Sequence, residues 1–80
     1  MTSIRSRGVS LAKLNPGTRG RIAHVARDLT GCAERLAVLG VTPGAAIRVL
    51  QTFPGIVFEC DQTELAVERM VARSILVELE

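Results

Sequence analysis

Apolar positions along this chain fall into short runs, and the spacing within them changes between residues 34 and 49. Leu36 and Leu39 stand three apart, with Cys32 or Ala33 a turn earlier, which is the spacing of a short helix face. Gly40 follows directly, where helices commonly end on a residue at positive φ. Thr42-Pro43 blocks any continuation, because proline excludes the α region from the residue before it. Pro43-Gly44 then makes a tight turn. Beyond it Ile47, Val49 and Gln51 alternate with Ala46, Arg48 and Leu50, so the pattern predicts a helix over 32–39 and a strand over 45–52.

The same reading orders the rest of the chain. Residues 1–9 mix Ser, Gly and Arg without periodicity and read as a flexible basic tail ahead of a single domain over 10–80. Ser10 can cap a short turn from which Leu11 and Leu14 pack onto the body. Residues 19–27 alternate weakly, with Ile22, His24 and Ala26 on one face, and 28–31 form a loop. Residues 56–60 and 64–67 make a hairpin around Asp61-Gln62. Residues 68–73 suit one helical turn, with an acid first and Arg73 last, and 75–79 close the chain as a strand. Each of the three prolines is followed by glycine, at positions 16, 43 and 54, which punctuates the chain into short segments. The expected fold is mostly β: a small, partly open barrel of about five strands, one clear short helix and a second helical turn.

The segment RLAVLGVTPGAAIRVL (residues 35–50) resembles the central signature of the FeoA family, the small component of bacterial ferrous iron uptake. LAKLNPGTRGRI (11–22) and LAVERMVARSILVEL (65–79) flank it in the family's order, so the resemblance spans about residues 10–79. It implies an SH3-like barrel with a helical insertion. It also implies a cytoplasmic, non-enzymatic accessory protein that contacts the GTP-binding domain of the FeoB-type iron permease, and reaches the inner membrane only through that permease. Two departures stand out. The loop at 53–56 is shorter than the family's usual one, and Asp61-Gln62 replaces an expected glycine-containing turn.

Composition narrows the alternatives. Phe53 and Phe58 are the chain's only aromatics, with no Trp or Tyr, so the aromatic platforms used for single-stranded nucleic acid are scarce. The net charge of +2 is unevenly spread. Residues 1–27 carry six basic and no acidic side chains, while 28–80 carry four basic and eight acidic ones. An SH3-like module for RNA or the ribosome remains the rival reading, held back by the acidic body and few aromatics. A third reading is a homo-oligomer formed through an open sheet edge. No apolar run approaches the roughly 18 residues a membrane-spanning helix needs, and no hydrophobic signal core follows the first charges. Two cysteines in a reducing compartment are expected as thiols.

Reactive chemistry finds little support. His24, Cys32 and Cys60 are the candidate soft ligands, yet no Cys-x-x-Cys, His-x-x-x-His or Glu-x-x-His spacing joins them, so neither a metal site nor a cofactor is expected. A single histidine with no nucleophile near it in sequence argues against acyl-transfer chemistry. Glu59, Asp61 and Glu64 cluster at the hairpin tip, where acids are normally solvated. Gly40-x-x-x-Gly44 runs into Ala45-Ala46 rather than the Lys-Ser/Thr of a phosphate loop. What remains is a contact surface. Arg35, Val38 and Val41 are its candidates, an apolar corner with a charged rim. For Val38 and Val41 plain core packing is an equal alternative.

Overall fold

A computed structural model describes residues 8–27 and 31–80. Among them six strands form one antiparallel sheet in the order β1-β6-β2-β3-β4-β5. They are β1 (Val9–Ser10), β2 (Arg19–Val25), β3 (Ala46–Gln51), β4 (Ile56–Cys60), β5 (Thr63–Val67) and β6 (Ile75–Leu79). Helix α1 (Cys32–Val38) joins β2 to β3, and α2 (Arg69–Ala72) joins β5 to β6. The sheet is barrel-like but not closed, with β1 and β5 at its ends.

The small, mostly β architecture agrees with the sequence pattern, with one strand added. That strand is β1, where Val9 pairs with Val77 and Ser10 with Leu76. Val9 therefore belongs to the sheet and not to a tail; residues 1–7 of the expected tail lie outside the described residues. A two-residue strand has no internal alternation to read, because only its partner β6 defines it. The loop expected at 28–31 also falls outside the description except for Gly31.

Ser10 caps a 3-10 turn (Leu11–Lys13) by accepting from the Ala12 amide at 3.2 Å. This drives Leu11 and Leu14 into the core. Ile47, Val49, Ile56, Phe58, Ile75 and Val77 meet them from the strands, all within 3 % of full burial. Each such side chain contributes about 1.5–3 kcal/mol relative to an exposed position. Inside this frame β2 and β6 approach very closely. A Cβ at Gly20 would lie 2.4 Å from the carbonyl oxygen of Glu78, so only glycine fits there.

Two bulges explain where simple alternation fails. The β2–β6 register shifts between Ile22 and His24, which leaves Ile22 buried and His24 exposed, although strict alternation puts them on one face. A second shift between Val49 and Gln51 exposes Gln51, which the same rule had aligned with Ile47 and Val49. Residues Asp61 and Gln62 join β4 to β5 with φ of 48° and 75°. Both lie in the left-handed region that a two-residue turn of type I′ requires, so the turn forms without the glycine that normally favours it.

Candidate interaction surface

The corner between α1 and β3 is built by its backbone. Leu39 ends the helix, the Gly40 amide donates to the Ala37 carbonyl at 3.0 Å, and the Val41 amide donates to that of Leu36 at 2.9 Å. With Gly40 at φ 96° this is a Schellman motif, whose apolar contact joins the residue after the glycine to the last inward helix residue. Leu36 and Val41 fill those roles at 6 % and 1 % exposure. The chain then turns through Thr42 to Ala45, closed by a 3.0 Å bond from the Ala45 amide to the Thr42 carbonyl. Arg21 steadies this turn by donating to the Gly44 carbonyl at 2.9 Å.

The motif divides the candidate residues. Val38 stands 86 % exposed and Leu39 52 %, side by side at the helix end. Arg35 is exposed one turn earlier, with Nη2 3.7 Å from the Cys32 sulfur. Val41, expected as part of the same contact face, is core. Its side chain turns inward because the reversal at Gly40 lays it against Leu36, so it can shape the corner but cannot touch a partner. Leu39 is the converse. Its spacing from Leu36 predicts burial, but as the capping residue it leaves the helical path and points outward. Arg35, Val38 and Leu39 form the exposed set.

Groups beneath the corner hold it to the body. Cys60 on β4 is 2 % exposed and its thiol donates to the Gly40 carbonyl at 3.5 Å. Burial, and then the negative charge of Asp61, push the Cys60 thiol pKa above its ordinary value. Arg27 meets Glu34 at 2.6 Å between the end of β2 and α1. Both side chains are more than half exposed, so this pair orients more than it stabilises. A cavity of about 280 Å³ lies between His24, Ala37 and Pro43. Among the described residues no three His, Cys, Asp or Glu side chains converge as a metal site requires.

A second exposed region escaped the pattern of the sequence. Phe53 is 81 % and Met70 74 % exposed. Arg69 ties their elements together, donating to the carbonyls of Thr52 at 2.5 Å and Ala12 at 3.2 Å. Lys13, Arg69 and Arg73 line one groove with Ser10 and Ala12. The clue for Arg69 and Arg73 was their four-residue spacing, which places both on one face of α2. For Phe53, in a turn, periodicity has nothing to say.

Residues 9–79 match the family of the FeoA domain. The chain belongs to that family. Among solved structures it is similar to a FeoA protein from Chlorobium tepidum, with 30 % identity and a TM-score of 0.80 over 89 % of this chain and 70 % of that one. A crystal structure of an iron uptake regulatory protein (FeoA) shares 26 % identity at a TM-score of 0.77, over 88 % and 93 % of the two chains. The C-terminal SH3-like fold recurs in T. acidophilum IdeR, which at 19 % identity and a TM-score of 0.86 matches 99 % of this FeoA-family chain but only 37 % of its own length. That likeness is one of fold. No curated protein sequence matches. The α1–β3 corner of this FeoA domain thus sits on an SH3-like, mostly β frame, and no helix among the described residues is long and apolar enough to cross a membrane.

Proposed function

We propose that this protein is a non-catalytic accessory factor of ferrous iron uptake that works by contact with the cytosolic GTP-binding domain of the iron permease. Membership of the FeoA family supplies the transport context. The observation that supports the contact is the adjacent exposure of Val38 and Leu39 on a helix end fixed by the Gly40 reversal, with Arg35 at the rim. Exposed apolar side chains on a rigid support lose little conformational freedom on binding, and a charged rim adds selectivity. On this reading the protein regulates or assembles the transporter and does not itself carry iron. It acts in the cytoplasm and meets the membrane through the permease.

The test is titration of the purified protein against its host's permease GTP-binding domain, with and without guanine nucleotide, at two salt concentrations. Saturable binding is expected. Absence of binding in every nucleotide state, together with salt-sensitive retention on RNA, would overturn the reading in favour of a nucleic-acid module.

A further inference from the structure

Strand β5 ends the sheet, and the direction of its backbone groups follows from its neighbours. The Asp61 amide donates to the Ala46 carbonyl at 3.0 Å, toward β3. Alternate residues of an antiparallel strand point opposite ways, so Cys60 and Phe58 turn their backbone groups toward β5. Their partners there are Thr63 and Leu65. Glu64 and Ala66 therefore aim both N–H and C=O away from β4, and among the described residues no strand pairs with that side.

The same edge leaves apolar surface incomplete. Leu65 and Val67 pack against the core yet remain partly exposed, because the open sheet has no strand beyond them. Edges of this kind are normally blunted by charged side chains, lysine above all, by proline or by a bulge. β5 carries one charge, Glu64, but no lysine or proline, and its register against β4 is unbroken. The opposite end of the sheet, β1, is only two residues long.

We propose that β5 pairs antiparallel with β5 of a second copy, about a two-fold axis at Leu65. In this register Glu64 faces Ala66 of the second copy, and Ala66 faces its Glu64, so four backbone bonds form and no like charges meet. The two Leu65 side chains meet at the axis and cover each other's open flank. Moving the axis one residue sets Glu64 opposite a second Glu64, or opposite Glu68, and like charges directly across a sheet repel. Charge thus selects the Leu65 axis over both neighbouring registers. The interface is small, so the dimer is weak and concentration-dependent. It lies on β5 and is independent of the proposed partner contact at the α1 corner.

Sedimentation analysis over a concentration series tests this directly. The wild-type protein is expected to pass from the mass of one chain to that of two. Ala66→Lys, which faces Glu64 across the axis, should tighten the dimer about two- to tenfold, and Ala66→Glu should loosen it by a similar factor. Amide exchange at Glu64 and Ala66 should slow as concentration rises, while Leu65, already bonded to β4, stays unchanged. A one-chain mass at every concentration overturns the proposal. So does a dimer that responds to both substitutions in the same direction, or one whose concentration-dependent protection lies away from β5.

Discussion

The amide of Val41 donates to the carbonyl of Leu36 across 2.9 Å, closing the last turn of α1 over Gly40. This bond sets which side chains are core and which are surface at the corner. It pulls Val41 inward against Leu36 and leaves Val38 and Leu39 outside.

Gly40 is at φ 96°, where a side chain strains the backbone. Nothing lies within 4 Å of a Cβ built there, so the cost of Gly40→Ala is conformational and not steric. Stability should fall by about 1–2 kcal/mol. In a domain of this size each kcal/mol lowers Tm by about 4–8 °C, which calorimetry can resolve.

Val38 and Val41 are three apart and chemically identical, yet they should behave oppositely. Val41→Ala removes fully buried methyl groups and should cost about 2 kcal/mol in urea unfolding. Val38→Asp changes an exposed site but sets a negative charge at the C-terminal end of α1, and should cost no more than about 1 kcal/mol. Equal losses for the two variants would mean that the corner is packed differently from this arrangement.

Gln62 occupies the left-handed region at φ 75° in the β4–β5 turn. Gln62→Gly relieves that strain but adds freedom to the unfolded chain, which offsets part of the gain. A net stabilisation of about 0.5 kcal/mol is expected from chemical denaturation.

Cys60 gives a pH dependence whose sign is fixed by its environment. Its thiol pKa is raised in the folded state above the ordinary value of 9.0. Below that value the thiol is neutral in both states and has no effect. As pH rises above it, the unfolded chain ionises first, so unfolding is favoured until the folded thiol also ionises. Stability should therefore decline more steeply above about pH 9 in the wild type than in Cys60→Ala, when each is normalised to its own value at pH 7. Identical slopes would remove Cys60 as the cause.

Local chemistry makes much of this fold legible in the sequence. Gly40 and Pro43 mark the helix stop and the turn with their own backbone preferences, and β4 shows period-two burial along its length, as β6 does through Val77 before Leu79 is left exposed. Along the strands, the positions that misled depend on distant chain. His24 and Gln51 turn out of line at bulges imposed by pairing with β6 and β4. Val9 is a strand residue only because Val77 lies beside it. At the corner the residue types were legible and their roles were not. Leu36, Leu39 and Val41 look alike as apolar residues, and only the reversal of the chain over Gly40 sorts them. Arg69 reads as a solvated helix charge until Thr52 and Ala12 bring their carbonyls to it from 17 and 57 residues away.

The most direct test of the accessory-factor account is the affinity of the permease GTP-binding domain for the wild-type protein and for Val38→Asp, whose folding is checked in parallel. Saturable binding to the wild type is expected, with a loss of about tenfold or more for Val38→Asp while that variant remains folded. Equal affinity for both proteins would contradict a contact at the α1 corner, and no binding to either would contradict the account as a whole.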